Sequence, residues 1–337
     1  MYAPDLLIWE LTLKCNLRCI HCGSNAGEKR EGELTTREAL NVVKDAAETG
    51  FKGIVLFGGE PFLRKDWSKI AKEIKEFGMK LSIVSGGFLK SSTIIDKLMK
   101  IEVDFLQIGI DGMQKTHDEI RGVSGAFNKA VHFIKEAKRV GLPLGIITTV
   151  QKKNFKELPK IKEFVIREDL EWQIQEILPM GRANKDAVLS REEYYLLGIF
   201  MKIMKKKYSI KIIVPHNMAI NSQYIDINPS WESCIAGKKV LGLQSNGNIK
   251  GCLALPDEFI EANIREKKLI DIWNSDEFFQ YSRKHCEEKI GENCRLCKYA
   301  KFCKGGCLAR SYWMTGKLYN DPYCFYLIEK DFRDSFI

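Results

Sequence analysis

Leu6-Leu7-Ile8-Trp9-Glu10-Leu11-Thr12-Leu13-Lys14-Cys15-Asn16-Leu17-Arg18-Cys19-Ile20-His21-Cys22-Gly23 is the stretch on which the reading of this chain turns. An apolar run of strand length leads into a short loop carrying three cysteines, separated by three and then two residues. Such a loop can aim three thiolates at one centre. The number matters. A structural zinc site takes four protein ligands and closes itself, whereas a cubane iron–sulfur cluster on three thiolates leaves one iron without a protein ligand. That iron can bind a small molecule. The loop also follows the first strand-like segment, and an open α/β sheet places its chemistry beyond the carboxyl ends of its strands. A partial zinc knuckle and a scatter of core cysteines are the readings the residues alone leave open.

Downstream, strand-like and helical runs alternate. Thr35-Thr36-Arg37-Glu38 is a capping box that opens a helix to about Glu48, with Gly50 behind it. Residues 53–57, 80–84, 103–110, 143–150 and 171–178 read as strands. Between them, a helix runs from Asp66, read as its N-cap, to about Phe77, and another lies near 92–100. Phe127, Ala130, Val131, Ile134 and Ala137 form one amphipathic stripe, and a further helix is placed near 155–166. The alternation predicts a parallel sheet with helices on one outer face, curled by right-handed crossovers. Six units fall short of the eight of a closed barrel. The expected fold is therefore α/β, an open partial (β/α)6 barrel with a wide mouth. Ser190-Arg191-Glu192-Glu193 opens a linker helix through Lys207, whose Lys205-Lys206-Lys207 suits a helix C-terminus. A short strand at 210–214 follows, and the first unit is placed at 1–216, the second at 217–337.

A chain of 337 residues suits one large domain with an appendage, and 45% hydrophobic content supplies its core. The net charge is +9, but Lys and Arg are interleaved with Glu and Asp along helices and read as solvated faces. No RNA-binding motif with interleaved aromatics is present, so nucleic acid is not an expected partner. The chain opens without a basic n-region, and no apolar run reaches bilayer length. Together with 11 cysteines, an odd number, this points to metal rather than a disulfide framework, to the cytoplasm, and to no membrane partner.

From about residue 217 cysteine returns: Cys234, Cys252, then Cys294, Cys297, Cys303 and Cys307, and finally Cys324. Between the first two, Asn246-Gly247 predicts the turn of a hairpin. Ile270-Asp271-Ile272-Trp273 opens a short helix. Taken alone, this field reads as a pair of zinc sites.

The first loop, with His21 as the aromatic-type residue before its last cysteine, resembles the signature of the radical S-adenosylmethionine (SAM) enzymes. Behind it, the second field resembles the SPASM domain, the auxiliary-cluster extension of that superfamily. The resemblance implies three 4Fe–4S clusters. One sits on Cys15, Cys19 and Cys22, and its fourth iron chelates SAM. A second sits on Cys294, Cys297, Cys303 and Cys324, and a third on Cys234, Cys252 and Cys307, where either an iron stays open or Cys286 reaches it. One electron then splits SAM, and the resulting 5′-deoxyadenosyl radical abstracts hydrogen from substrate, the cofactor carrying that chemistry.

The resemblance also implies the SAM contacts. Gly58-Gly59-Glu60-Pro61 looks like the strand-end motif that orients the SAM amino group, the alternative being an ordinary strand-to-helix turn. Ser85 and Asp111 stand where relatives contact ribose or substrate, although Ser85-Gly86-Gly87 departs from the usual Thr-Asn-Gly or Ser-Asn-Gly. Asp111 can instead cap a helix. Arg121 offers a planar fork to the SAM carboxylate, or forms a surface salt bridge. Met180, within Leu178-Pro179-Met180-Gly181-Arg182, resembles the segment near adenine. Asp111 and Arg121 are the candidate catalytic residues. Gln173 and Gln175 share one face of their strand, and His117, His132, His216 and His285 read as surface or core histidines.

SPASM relatives mostly modify ribosomally made peptides or proteins. The expected function is thus an oxidoreductase acting on a peptide, by side-chain oxidation or a thioether or carbon–carbon cross-link, with an electron donor such as ferredoxin or flavodoxin. The chain begins almost at its first strand, and no leader-binding domain is expected. The alternatives are tailoring of a small molecule such as a tetrapyrrole, and a metal-stapled scaffold without turnover.

Overall fold

A computed structural model describes residues 2–208, 210–215, 217–228, 233–284 and 287–334. Six parallel strands run in chain order: β1 (Leu6–Thr12), β2 (Gly53–Gly58), β3 (Lys80–Ser85), β4 (Phe105–Gly109), β5 (Leu144–Val150) and β6 (Glu171–Glu176). The crossovers carry α1 (Thr36–Thr49), α2 (Trp67–Glu76), α3 (Ser91–Ile101), α4 (Gln114–Arg121), α5 (Ala126–Arg139), α6 (Lys152–Phe155) and α7 (Leu158–Glu168), and α8 (Arg191–Lys207) follows β6. The period-two pattern decides the faces. Leu7, Trp9, Ile54, Leu56, Leu81, Ile83, Leu106, Ile108, Trp172 and Ile174 are buried in the core under the helices. Ile8, Val55, Phe57, Val84, Ile147, Gln173 and Gln175 take the opposite, concave face and stay half-buried. This is the expected partial barrel.

The Thr35–Glu38 capping box forms as predicted, and Gly50 closes α1 at φ 95°. Asp66 stands at the N-cap of α2 as predicted, but its side chain makes no capping bond; its carboxylate holds Arg64, at 2.8 and 3.1 Å. The predicted 155–166 helix is α7, beginning at Leu158, and the one-turn α6 before it was not predicted. α4 is polar along most of its length and gave no apolar periodicity to predict it.

The larger departure is at the sheet's edge. β7 (Ile212–Ile213) extends the sheet beyond β6, and β8 (Val240–Leu243) pairs in parallel with β1, Leu6 opposite Val240 and Trp9 opposite Leu243. β8 turns through Gly247 at φ 93° into β9 (Asn248–Lys250), which pairs with β10 (Ala262–Asn263). The Asn246-Gly247 hairpin is therefore present, and it continues the barrel sheet. The core crosses residue 217 as well: Trp273 packs edge-on to Phe51 at 5.3 Å, and Phe325 lies against Tyr194 of α8 at 5.2 Å. No helix among the described residues is long and apolar enough to cross a membrane.

Candidate functional site

The cysteine loop leaves β1 and is held from three sides. Leu13 and Lys14 run against the turn after β2, where Gly59 N donates to Thr12 O at 2.7 Å and Glu60 N to Lys14 O at 2.8 Å. A Cβ at Gly59 would stand 2.3 Å from Lys14 O, and one at Gly58, whose φ is +125°, 2.6 Å from Thr12 O. Only glycine fits there. The close approach these glycines permit is to the loop's own backbone. Underneath, the loop rests on the end of α4 through Arg18 N to Arg121 O (3.2 Å) and Ile20 N to Ile120 O (2.9 Å).

The third support is the segment after β6. Arg182 donates from Nε to Cys19 O at 2.9 Å and from Nη1 to Ala26 O at 2.8 Å and Asn25 Oδ1 at 3.1 Å. Its amide reaches Cys22 O at 3.0 Å, and Met180 lies on Gly23, where a Cβ would be 2.9 Å from Met180 Cε. Met180 and Arg182 thus strap the loop. Arg182→Ala is expected to raise amide exchange across residues 15–27 roughly tenfold while costing the whole fold only about 1–2 kcal/mol. Arg182→Lys, lacking the fork, restores only part of the protection. Mass-resolved hydrogen exchange checks this; unchanged protection would contradict the strapping role.

Cys15, Cys19 and Cys22 are free thiols, and charge on one raises the pKa of its neighbours. Burial pushes Cys15 up to about 11, ahead of the opposing Leu17 amide, which donates to its Sγ at 3.4 Å. Ala26 N donates to Cys22 Sγ at 3.3 Å and Arg121 Nη1 to Cys19 Sγ at 3.9 Å. Hydrogen bonds to sulfur are one of the levers that set a cluster's potential.

Glu60 is buried at the end of β2. Ser85 Oγ donates to its Oε2 at 2.9 Å, Gly86 N to the same oxygen at 3.0 Å, and Phe62 N to Oε1 at 3.3 Å. The last bond caps the single turn opened by Pro61. Ser85 therefore orients Glu60. Gly86 stands where a Cβ would meet Leu17 Cδ1 of the cysteine loop at 2.7 Å. Burial pushes the Glu60 carboxyl up to about 7, against the pull of Ser85, Gly86, Phe62 and Arg121.

Asp111 caps no helix, since α4 begins at Gln114 with Met113 before it. It forms a buried ion pair with Arg121, Oδ2 to Nη2 at 2.7 Å, and accepts from Thr149 N at 2.9 Å. Arg121 is thus neither free nor at the surface, and Gly109 is glycine because any Cβ there would collide with its guanidinium. Burial alone would raise the Asp111 carboxyl; Arg121, His21 and His117 outweigh it and hold it below the usual range. His21 Nε2 lies 3.8 Å from Asp111 Oδ2, and burial, with Arg121 and Arg182, pushes this imidazole down to about 4 despite Asp111. It is neutral at pH 7. His117 accepts from Asp111 N at 3.1 Å and is a core histidine, whereas His132 is exposed. His216 and His285 lie outside the described residues. His21 Nδ1, Arg121 Nε and His117 Nε2 are buried without a hydrogen-bond partner. Three free thiols on one loop, with the buried carboxylate of Glu60 nearby, are a donor set that fits a cluster and a polar ligand such as SAM.

The later cysteines gather in two places. Cys294, Cys297, Cys303 and Cys324 line one small pocket, with Gly305, Gly306 and Asp321. Cys234, Cys252 and Cys307 pack together with Leu255, Leu308 and Tyr319. Burial pushes Cys252 up to about 11 and Cys294 up to about 12, so these sulfurs stay protonated until iron displaces the proton. Among the described residues no three His, Cys, Asp or Glu side chains converge tightly enough to share a single metal ion. A four-iron cluster sets its thiolates wider. Cys286 and residues 229–232 lie outside the described residues.

The two cysteine groups are tied by a network the sequence did not announce. Arg310 holds Asp321 and Glu176, and Asp321 accepts from Cys307 N at 3.1 Å. On the concave face, Gln107 Nε2 donates across β5 to Gln173 Oε1 at 2.8 Å, and Gln175 Nε2 to Thr149 Oγ1 at 3.1 Å.

Residues 9–165 match the family described as "Radical SAM superfamily", and residues 234–298 the SPASM family, "Iron-sulfur cluster-binding domain". An AdoMet-dependent heme synthase of Methanosarcina barkeri is 32% identical, the match covering 96% of this chain and 97% of that one. An Fe-coproporphyrin III synthase of the same organism is 27% identical over 95% and 87%, and a PqqA peptide cyclase of Granulibacter bethesdensis is 27% identical over the same shares. Among solved structures, Streptococcus suis SuiB bound to precursor peptide SuiA superimposes with a TM-score of 0.79 at 18% identity, covering 96% of this chain and 76% of that one.

Proposed function

Because this chain belongs to the radical SAM superfamily and carries a SPASM domain, we propose that it oxidises a side chain of a tetrapyrrole. The observation that carries this reading is the end-to-end similarity to an AdoMet-dependent heme synthase. Cys15, Cys19 and Cys22 would hold the SAM-binding cluster, and Glu60 would accept the SAM ammonium. When bound, the cluster and SAM supply a 5′-deoxyadenosyl radical that abstracts hydrogen from substrate. The chain's own part is placement. Arg182 and α4 fix the loop, Ser85 aims Glu60, and Arg121 neutralises Asp111 beneath it. The half-buried Ile8, Val55, Phe57, Val84 and Ile147 offer apolar wall to a flat macrocycle. Gln107, Gln173, Gln175 and Thr149 add hydrogen-bonding groups to the same face.

A peptide substrate is the second reading. It draws on the similarity to a PqqA peptide cyclase. Anaerobic reconstitution with SAM and a reductant, followed by mass spectrometry, separates the two. An iron coproporphyrin should lose mass as 5′-deoxyadenosine forms. An unchanged porphyrin with a changed neighbouring-gene peptide would overturn the first reading in favour of the second.

A further inference from the structure

Besides its four thiols, the Cys294–Cys297–Cys303–Cys324 pocket is lined by two polar side chains among the described residues, Asn221 and Asp321. Asp321 is committed elsewhere. It accepts from Arg310 Nη2 at 2.6 Å, from Cys307 N at 3.1 Å and from Tyr323 N at 3.0 Å. Asn221 is not. Its Nδ2 is buried and has no hydrogen-bond partner among the described residues. Enclosing an amide donor without an acceptor is costly, and native interiors rarely do it. Thiolates and sulfides accept hydrogen bonds and donate none, so an N–H is the group that a pocket built for them favours.

The turn that carries Asn221 is built against the cysteines. Cys324 Sγ donates to Ile220 O at 3.6 Å, and Ile220 packs with Cys303 and Cys324. Both ends of the turn are pinned. On one side Asn217 Nδ2 donates to Glu176 Oε1 at 2.7 Å, and Arg310 Nη2 to Asn217 O at 3.3 Å. On the other, Ser222 Oγ donates to Glu329 Oε1 and Gln223 N to Glu329 Oε2 at 2.8 Å. Glu329 belongs to the helix that starts directly after Cys324, Phe325–Asp334. Between the pins the backbone is left-handed at Ala219 (φ 57°) and at Asn221 (φ 54°), a conformation asparagine tolerates better than most residues. The amide is thus carried on a held backbone. The turn also precedes residues 234–298, the part of the chain that matches the SPASM family.

We propose that Asn221 Nδ2 donates a hydrogen bond to a sulfur of the cluster held by Cys294, Cys297, Cys303 and Cys324, and that this bond makes the cluster easier to reduce. The inference rests on the reading that these four cysteines hold a cluster. One-electron reduction adds negative charge to the sulfurs, so a fixed donor stabilises the reduced form more than the oxidised one. Asn221 binds no iron itself; it sets how readily this one cluster takes an electron.

The test is an anaerobic redox titration of the cluster-loaded chain, followed by electron paramagnetic resonance, with iron content measured on every variant. The signal of this pocket is the one abolished by Cys303→Ala with Cys324→Ala. Asn221→Gly keeps the left-handed backbone and removes the amide. It should raise the oxidised-to-reduced ratio of that signal at a fixed poise about tenfold, a fall of ~59 mV in midpoint for a one-electron couple. Asn221→Asp replaces the donor by a carboxylate and should lower the midpoint further. The other cluster signals should keep their midpoints in both variants. An unshifted midpoint with iron intact overturns the proposal. So does a shift shared by all the signals, which would mark general loosening, and so does loss of this pocket's iron from both variants, which would make Asn221 a structural support. A parent chain with no signal that the double cysteine variant abolishes would overturn the cluster reading underneath instead.

Discussion

Arg310→Ala is expected to destabilise the chain by about 3–5 kcal/mol, the penalty for stripping one partner from a buried ion pair. The guanidinium is 1% exposed and Asp321 is fully buried. Nε and Nη2 donate to Asp321 at 2.8 and 2.6 Å, Nη1 to Glu176 at 3.0 Å, and Nη1 also meets the Tyr194 hydroxyl. Without Arg310, two carboxylates stay in the interior with no counter-charge. The damage extends to the cysteines, because Asp321 also accepts from Cys307 N and from Tyr323 N, next to Cys324. Iron retained by the later cysteines should fall together with the denaturation midpoint. Arg310→Met with Asp321→Asn and Glu176→Gln removes the charges together and should recover much of the loss. Anaerobic urea unfolding and iron analysis check both, and an Arg310→Ala chain within about 1 kcal/mol of the parent would refute the account.

The second large effect is at Glu60. Its carboxyl titrates near 4.5 when unfolded and near 7 when folded, a difference worth about 3 kcal/mol. The sign follows from proton counting. Between these values the folded chain keeps a proton that the unfolded chain has released, so stability falls as pH rises from about 4.5 to about 7 and stays lower above. Glu60→Gln removes that slope. The variant should match the parent near pH 4.5 and exceed it by up to about 3 kcal/mol at pH 8. SAM binding should respond in the opposite sense. An ammonium ligand needs the carboxylate, so parent affinity rises with pH up to about 7 and then levels, while Glu60→Gln binds weakly throughout. Unfolding curves and SAM titrations at several pH values test this; a parent affinity flat across that range would exclude Glu60 as the ammonium partner.

The sheet was legible because each strand carries its own period and each crossover ends in a glycine or a cap. The cysteine loop was legible because its chemistry is local. What escaped the sequence is mostly non-local. Arg182 looked like one cation among many, and only the fold brings its fork to Cys19 O, 163 residues away in sequence. Arg310 and Asp321 were hidden by the cysteines around them. Asp111 and Arg121 were read as separate ligand contacts, yet spatial proximity makes them partners first. The glycines of the strand-end motif also answer to the chain itself, Gly58 lying against Thr12 and Glu10 and Gly59 against Leu13 and Lys14. β8 was foreseen as half of a hairpin; four residues give no signal that their other edge belongs to β1.

That pairing bears on how the chain comes together as it is made. β1 leaves the ribosome long before β8, so the strand that delivers Cys15 has one side bare until Leu243 has been synthesised. Contacts so distant in sequence form slowly, and an uncovered strand edge invites the wrong neighbour meanwhile. During that interval the thiols of the first loop hang from a half-flanked strand, which makes the late-made hairpin the closing stave of the barrel and the guardian of its reactive end.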